Sequence, residues 1–327
     1  MVGPVKIGVL GCSRFANRSI VPAIVERADC FQLEGIASRD DAKAQESATR
    51  FGVRGFGGYE SLLRHPGLQA VYIPLPNSLH FEWIGKALNA GLHVLVEKSM
   101  ACTAADVKTL NTLAQSKGLV LMENFQFRFH RQLAEVRSIV DGGQIGELRC
   151  VRASFGFPPF PDAGNIRYQR ELGGGALLDV GAYPIKISQI LLGEKLSVTS
   201  AKSFVDPEKG VDIWGGGFLS QDDGPLFSEI AFGFDHHYQC GIDLWGSRGK
   251  LNANRLFTAP PGFEVELILE TKEGRSVVKV PADNHFQQML RHFHRLIQNP
   301  ELAADEYRQN VRQAELIEQF RILANGK

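Results

Sequence analysis

The 327-residue sequence has no long hydrophobic run and no excess of charge of either sign. No stretch approaches the ~20 apolar residues that a membrane-spanning helix needs, and no charged, apolar leader precedes the first predicted strand at Val5. The 36 basic and 36 acidic residues balance, so no overall field attracts nucleic acid or an anionic membrane. We therefore expect a cytoplasmic protein whose partner is a small molecule.

Cysteine is also scarce, and its spacing is not that of a metal site. The odd number of scattered thiols fits reduced cysteines, which stand at Cys12, Cys30, Cys102, Cys150 and Cys240. His292 and His294 are two residues apart on a predicted helix and face different directions, and His236-His237 lies beside a predicted strand. No ligand set converges by spacing, so the sequence predicts no metal.

The length and the order of predicted elements indicate two domains. Up to about residue 122, apolar strand-like runs alternate with helical patterns, which predicts an α/β domain built on a doubly wound parallel sheet. After Glu123, closely spaced strand-like runs and two final helices predict an α+β domain with a large, mostly antiparallel open sheet. The predicted domains are 1–122 and 123–327, packed together with the site between them. As an alternative to packing within the second domain, the C-terminal helices are expected to pack back on the first domain.

A glycine turn follows the first predicted strand. The apolar run 5–11 ends in glycine and precedes a helical stretch, the pattern of the first unit of a dinucleotide-binding fold. Ser13 stands where a second glycine usually lets the backbone approach the phosphates, so the fingerprint alone also allows a structural turn. The turn residues expected to contact a dinucleotide are Gly11, Cys12, Ser13, Arg14 and Phe15.

The second predicted strand ends in Ser38-Arg39, about 20 residues beyond the turn, where an acidic residue would hold the ribose of NAD. No acid stands at this strand end, and an arginine beside a hydroxyl suits a 2′-phosphate better. The sequence therefore favours NADP(H) over NAD(H). The alternative is a solvated arginine that opens the next helix.

Three further residues suggest proton transfer to a carbonyl group. Asp179 and Tyr183 are four residues apart, so on a helical turn they project from one face, and Lys98 follows an apolar strand-like run. A phenol, a carboxylate and an ammonium group that converge on one substrate oxygen can pass it a proton. Each residue also has a structural alternative: Lys98 ends a strand, Tyr183 packs in a core and Asp179 caps a helix.

These motifs, in this order, resemble the Gfo/Idh/MocA oxidoreductases over nearly the whole chain. The motifs are the glycine turn, residues 73–80, Glu97-Lys98-Ser99 and the triple-glycine segment 173–184. Three positions depart from the family pattern: Ser13, Ser99 in place of a proline, and Tyr183 where many members have histidine. With tyrosine at that position, the chain resembles glucose-fructose oxidoreductase, dihydrodiol and xylose dehydrogenases, and C-3 ketoreductases of nucleotide-linked deoxysugars. Segments 155–159 and 165–173 look most similar to the ketoreductases.

The resemblance implies a Rossmann domain and a hydride transfer between nicotinamide C4 and a sugar carbonyl or hydroxyl group. The favoured function is an NADPH-dependent reductase of a nucleotide-linked 3-ketohexose. The alternatives are a free-sugar (glucose or xylose) dehydrogenase, a trans-dihydrodiol dehydrogenase and a non-catalytic dinucleotide-binding regulator. A homodimer or homotetramer assembled through the C-terminal sheet is also expected.

The same resemblance assigns roles to residues. Tyr183 is expected to protonate the substrate oxygen, Lys98 to bind that oxygen and a cofactor ribose hydroxyl, and Asp179 to orient substrate hydroxyls or Lys98. Arg167 and Tyr168 are expected to clamp the substrate. The residues expected to contact the cofactor beyond the glycine turn are Ser38, Arg39, Pro74, Leu75, Asn77, His80, Glu97, Lys98 and Asn124. For His80 a capping or supporting role is the alternative.

Overall fold

The computed structural model describes residues 3–162 and 164–326. The chain divides into two units. The first contains the described residues up to Phe125 together with Phe286–Val311, and the second contains Gln126–His285 and the described residues from Arg312 onward. Each unit has its own sheet.

The sheet of the first unit has six parallel strands. They are β1 (Val5–Leu10), β2 (Phe31–Ser38), β3 (Arg54–Gly57), β4 (Ala70–Ile73), β5 (His93–Glu97) and β6 (Leu121–Asn124). Their order, β3-β2-β1-β4-β5-β6, is that of the doubly wound dinucleotide-binding fold. Every residue of β4 is buried, as expected of a parallel strand covered on both faces. The predicted N-terminal fold is confirmed.

Helices connect these strands. A π-helical turn at Ala16–Ile20 continues into the first helix, and the helices are α1 (Val21–Glu26), α2 (Asp41–Phe51), α3 (Tyr59–Leu63), α4 (Asn77–Asn89) and α5 (Ala104–Ser116). Side chains cap two of them: Asp40 accepts the N–H of Lys43 at the start of α2, and Thr103 accepts that of Asp106 in α5.

The second unit is built on an eight-stranded sheet. Its strands are β7 (Leu148–Gly156), β8 (Leu196–Val205), β9 (Asp212–Gln221), β10 (Phe227–Gly233), β11 (Gln239–Gly246), β12 (Gly249–Asn254), β13 (Val265–Thr271) and β14 (Gly274–Val280). The order is β14-β13-β12-β11-β7-β10-β9-β8, antiparallel except for the parallel pair β7 and β10. The predicted mostly antiparallel sheet is confirmed.

One face of this sheet is buried. In β11 the side chains of Ile242 and Leu244 are buried, whereas Asp243 and Trp245 between and beyond them are exposed. The helices of the unit are α6 (Arg131–Asp141) and α7 (Ala182–Leu192), and a π-helical turn at Leu177–Gly181 leads directly into α7. Helix α7 contacts β7 and β10, which places its first turn over the buried face.

Two helices end the chain, α8 (His285–Gln298) and α9 (Ala304–Ala324). Tyr307 of α9 donates its O–H to the carbonyl oxygen of Leu119, and Asn310 donates to that of Leu121, both within the first unit. Within the described residues, no helix combines the length and the apolar composition that crossing a membrane requires.

Candidate active site

The glycine turn after β1 requires glycine at its first position. Gly11 has a φ of 134°, and a Cβ atom there would lie 3.0 Å from Cδ2 of Leu75. Its N–H donates to the carbonyl oxygen of Ala37 at 2.9 Å, which ties the turn to the end of β2. The backbone can therefore turn tightly at this sheet edge, as a dinucleotide requires.

Ser13 has a structural role that explains the departure from the glycine fingerprint. Its Oγ accepts the N–H of Ala16 at 3.1 Å, and helical backbone begins at Arg14. The serine therefore caps the helix that follows the turn. The first N–H groups of a helix have no intrahelical acceptor, and such groups bind phosphate. Beside it, burial raises the pKa of the Cys12 thiol.

At the end of β2, Arg39 is exposed while its neighbours are engaged with the backbone. The buried Ser38 accepts the N–H of Asp40 through its Oγ at 3.2 Å. The carboxylate of Asp40 in turn accepts the N–H of Lys43 at 3.2 Å as the cap of α2. The Asp40 carboxylate is thus engaged with the start of α2, and the guanidinium of Arg39 is an exposed cation directly after the strand end.

The segment after β4 contains Pro74 and Leu75, both buried, and Asn77 begins α4. His80, one turn into α4, is fully buried. Its Nε2 lies 2.8 Å from the carbonyl oxygen of Leu75, and its Nδ1 lies 2.8 Å from that of Ser99. Burial lowers the pKa of His80 to about 4. Both ring nitrogens thus face the protein backbone. A contact of His80 with a cofactor stays a prediction.

Lys98 directly follows β5 and lies among buried polar groups. The Oε1 atom of Glu97 accepts the O–H of Tyr72 at 2.7 Å and the Nδ2 of Asn124 at 2.6 Å. Burial raises the pKa of Glu97, and the Tyr72 hydrogen bond and the charge of Lys98 oppose this. The Lys98–Ser99 peptide, at the position of the family's proline, is cis. Oδ1 of Asn124 is buried and has no hydrogen-bond partner within the described part of the chain.

In the second unit, aromatic rings hold Tyr183 in the first turn of α7. The side chain is buried, and its ring centroid lies 5.1 Å from that of Phe155, 5.5 Å from Phe257 and 5.8 Å from Phe127. These rings come from β7, from the loop after β12 and from a 3₁₀ turn, so three separate segments fix the phenol. Phe127 is itself fully buried.

A carboxylate that sequence reasoning missed anchors the glycine-rich segment. Gly175 has a φ of 112°, and a Cβ atom there would collide with Oδ1 of Asp212, the first residue of β9. The Oδ2 of Asp212 accepts the N–H of Leu177 at 2.5 Å. Burial raises the pKa of Asp212. Asp212 thereby fixes the start of the π-helical turn that carries Asp179.

Asp179 is paired with Arg167. Nε of Arg167 donates to Oδ2 of Asp179 at 2.5 Å, with 35% of the arginine side chain and 15% of the aspartate side chain exposed. The charge of Asp179 raises the pKa of Arg167, and Tyr183 acts weakly in the same direction. The guanidinium also lies 4.8 Å from the ring centroid of Phe160. The structure therefore brings together three of the predicted residues, Arg167, Asp179 and Tyr183.

Tyr168 braces the loop before this segment. Its hydroxyl oxygen accepts the N–H of Phe160 at 3.0 Å, and Nζ of Lys209 lies 5.1 Å from its ring centroid. The hydroxyl has one further hydrogen-bonding position as a donor. A substrate contact of Tyr168 stays a prediction.

No group of three or more histidine, cysteine, aspartate and glutamate side chains that could hold a metal occurs in the described ranges. Nε2 of His292 lies 3.0 Å from Oε1 of Glu306.

The comparison with known proteins identifies the class. An oxidoreductase family with an NAD-binding Rossmann fold, Gfo/Idh/MocA, matches residues 5–125, and a C-terminal domain of the same family matches residues 133–252. The chain therefore belongs to the Gfo/Idh/MocA oxidoreductases, and the predicted membership and oxidoreductase class are confirmed.

Individual relatives are similar over nearly the full length. A dTDP-3,4-didehydro-2,6-dideoxy-alpha-D-glucose 3-reductase from Saccharopolyspora spinosa is 42% identical over 321 residues, 96% of this chain and 96% of that protein. The crystal structure of KijD10, a 3-ketoreductase from Actinomadura kijaniata in complex with NADP and TDP-benzene, matches with a TM-score of 0.94 at 36% identity, covering 98% of each chain. Solved variants of KijD10 include a tyrosine-to-phenylalanine and two lysine substitutions. A D-xylose 1-dehydrogenase (NADP(+)) from Haloferax volcanii is 32% identical, covering 86% of each chain.

Proposed function

We propose that this protein is an NADPH-dependent ketoreductase of the cytoplasm that reduces the C-3 carbonyl group of a nucleotide-linked deoxysugar. The observation that carries the proposal is the grouping of the buried phenol of Tyr183 with the Arg167–Asp179 pair. The phenol supplies a proton donor, and the arginine supplies a cation for a phosphate-bearing substrate. The names of the relatives from Saccharopolyspora spinosa and Actinomadura kijaniata support the substrate class.

The residues of the first unit fit a phosphorylated dinucleotide. Gly11 leaves no room for a side chain, and the Ser13-capped helix offers N–H groups to a pyrophosphate. The unpartnered Oδ1 of Asn124 is a buried acceptor at the end of β6. The exposed Arg39 suits a 2′-phosphate, and the adjacent Asp40 caps a helix. We therefore assign NADP(H) as the cofactor.

The reduction needs a hydride at carbon and a proton at oxygen. NADPH, when bound, supplies the hydride to the carbonyl carbon. Tyr183 gives its phenolic proton to the carbonyl oxygen, which yields a secondary alcohol, and the phenolate then takes a proton from solvent. An ordinary phenol has a pKa of about 10, so a tyrosine side chain at neutral pH carries the proton that reduction requires.

Lys98 and Arg167 have separate tasks in this proposal. The ammonium group of Lys98 binds the reacting oxygen and a ribose hydroxyl, and its positive charge favours the phenolate that reverse oxidation needs. Arg167 binds the phosphate groups of the substrate, and Asp179 holds the guanidinium through Nε. Asp179 is therefore an orienting group for Arg167 rather than a proton relay.

A turnover screen tests the proposal. NADPH consumption is followed with a thymidine-diphosphate-linked 3-ketodeoxysugar and with free keto sugars. In the reverse direction, NADPH formation from NADP+ is followed with D-xylose and with an aromatic trans-dihydrodiol. The proposal expects turnover only with the nucleotide-linked ketone, and product analysis should show a new hydroxyl group at C-3. Turnover of free xylose alone would instead favour the activity named for the Haloferax volcanii relative.

We also propose that the protein is a homodimer or homotetramer that uses the exposed face of the C-terminal sheet. Large apolar side chains are exposed on its strands, among them Trp245 at 56% and Val277 at 47%. Burying such side chains against a second copy would remove apolar surface from water. Light scattering of the protein and of Trp245→Glu tests this, since a monomeric wild-type protein would contradict it.

A further inference from the structure

We propose that His80 is a positioning residue for Lys98: its buried imidazole ties the segment after β4 to the segment that follows Lys98, and so fixes where the lysine side chain starts. The inference rests on the proposed function only in assigning Lys98 to the cofactor and the substrate oxygen.

The geometry of the ring carries the proposal. His80 is fully buried in α4, and its two nitrogens each lie 2.8 Å from a backbone carbonyl oxygen. One carbonyl belongs to Leu75, five residues before His80, and the other belongs to Ser99, nineteen residues after it. An imidazole ring is rigid, so it holds the two carbonyl groups at a fixed separation. Ser99 is the residue that directly follows Lys98.

Other buried side chains hold the backbone on both sides of Lys98. On one side, the Glu97 carboxylate accepts hydrogen bonds from Tyr72 and Asn124. On the other side, the N–H of Met100 donates to Oε1 of Glu123 at 2.8 Å. With the His80 contact to Ser99, polar contacts within the first unit hold Glu97, Ser99 and Met100, the residues on either side of Lys98. Such a supporting shell is what keeps a functional side chain within about 0.5 Å of its productive position.

His80 acts on Lys98 through geometry and not through charge. Burial lowers its pKa to about 4, and the charge of Lys98 acts in the same direction, so the ring is neutral at neutral pH. A neutral ring carries a single N–H, so one of the two carbonyl groups accepts a hydrogen bond from it and the other lies against the unprotonated nitrogen. It therefore adds no positive charge beside the lysine, and its removal should act through the position of Lys98.

Two substitutions separate this role from ordinary core packing. His80→Leu keeps apolar volume and removes both ring nitrogens, whereas His80→Gln keeps one N–H donor. A matched control is His93→Leu in the same unit. His93 stands at the opposite end of β5 from Lys98, and its Nδ1 accepts the N–H of Val120 at 3.0 Å. Both histidines are engaged with backbone, but only His80 contacts the segment after Lys98.

The experiment is a double-mutant cycle with Lys98→Met, read out as the NADPH dissociation constant by fluorescence titration. In the wild-type background, His80→Leu should weaken NADPH binding about 5- to 50-fold, and His80→Gln should recover part of the loss. In the Lys98→Met background the same substitutions should change the constant less than about 2-fold, because the residue that His80 positions is gone. His93→Leu should have the same small effect in both backgrounds while lowering the melting temperature.

Equal effects of the His80 substitutions in the two backgrounds, or no effect in the wild-type background, would overturn the proposal. If His80→Leu does not fold, the same cycle with His80→Gln decides it. A protein that binds NADPH but turns over no nucleotide-linked ketone would contradict the proposed function. The titration needs no substrate, so the double-mutant cycle would still test the role of His80.

Discussion

Arg167 and Asp179 form a partly buried ion pair in which Nε of the arginine donates to the carboxylate at 2.5 Å. The carboxylate four residues before Tyr183 is therefore occupied by a guanidinium group from the preceding loop. A guanidinium has four N–H donors besides the one on Nε, so the pair leaves Arg167 able to bind an anion in a fixed orientation. This arrangement favours a substrate that carries phosphate.

Replacing Arg167 by glutamine should weaken substrate binding. We expect the KM of the nucleotide-linked substrate to rise about 10- to 100-fold, the loss of a charge-assisted hydrogen bond to phosphate. The inhibition constant of thymidine diphosphate should rise in parallel, while NADPH affinity stays the same. Arg170→Gln, an exposed arginine three residues further on, is the matched control. Equal inhibition of wild type and Arg167→Gln by the diphosphate would remove Arg167 from the substrate site.

Replacing Arg39 by alanine should impair the use of NADPH far more than that of NADH. The exposed guanidinium at the end of β2 has no role toward the ribose hydroxyl of NAD, so the loss of about 1.5 to 3 kcal/mol should fall on the phosphorylated cofactor. Steady-state kinetics with both cofactors measure it, with Arg50→Ala at the end of α2 as the control. Equal changes for the two cofactors would contradict the assignment of NADP(H).

Replacing Lys98 by methionine should lower the catalytic rate and weaken cofactor binding together, because we assign its ammonium group to the reacting oxygen and to a ribose hydroxyl. In alcohol oxidation the basic limb of the pH-rate profile should also move upward, since the Tyr183 phenolate is harder to form without the cation. A weakened cofactor constant with an unmoved basic limb would restrict Lys98 to cofactor binding.

Buried histidines should make the protein sensitive to acid. Burial lowers the pKa of His80 and His93 to about 4 and that of His285 to about 3. Between these values and the ordinary pKa of about 6.5, the unfolded chain binds more protons than the folded one, so the free energy of unfolding falls as the pH falls. Each such histidine contributes a slope of about 1.4 kcal/mol per pH unit. Glu97 and Asp212, whose pKa values desolvation raises, oppose this.

Urea unfolding of the wild type and His93→Gln at several pH values between 7 and 5 isolates one histidine. The variant should be less stable near neutral pH, because the flexible glutamine does not hold an acceptor in the position of the ring Nδ1 that the N–H of Val120 meets, but its stability should fall less steeply with acid. Parallel curves for the two proteins would show that His93 titrates normally in the folded state.

The first unit was largely predictable because its strands are short, apolar and separated by helical patterns. The apolar run 5–11 contains β1, and short apolar runs of the sequence likewise coincide with β2, β4 and β5. In the second unit, β9 is hard to recognise from the sequence because it contains Gly215-Gly216-Gly217, a run with low strand propensity. It forms a strand because β8 and β10 pair with it on both sides, and glycine is needed because these neighbours and the ring of Phe320 leave little room for side chains.

A linear motif specifies candidate site residues, as for Lys98 and Tyr183, and their roles stay predictions. The site was not predictable where partners come from distant parts of the chain. Asp179 meets Arg167 twelve residues away, and Leu177 meets Asp212 thirty-five residues away. Composition and periodicity report which face a residue occupies, but they do not report which loop lies opposite that face. The contacts of His80 with two backbone carbonyl groups are likewise not predictable from composition or periodicity.

The most direct test of the proposed chemistry is the single-turnover rate of carbonyl reduction by Tyr183→Phe, which removes one oxygen atom and keeps the ring packed against Phe155 and Phe257. Tyr238→Phe, which removes another phenol of the second unit, is the control, since its hydroxyl contacts Thr258. With the nucleotide-linked 3-ketosugar and NADPH, the Tyr183 variant should react about 10²- to 10⁴-fold more slowly at unchanged NADPH affinity, and the control should react at nearly the wild-type rate. A Tyr183→Phe enzyme that reduces the ketone within a few fold of the wild-type rate would contradict the assignment of Tyr183 as the proton donor.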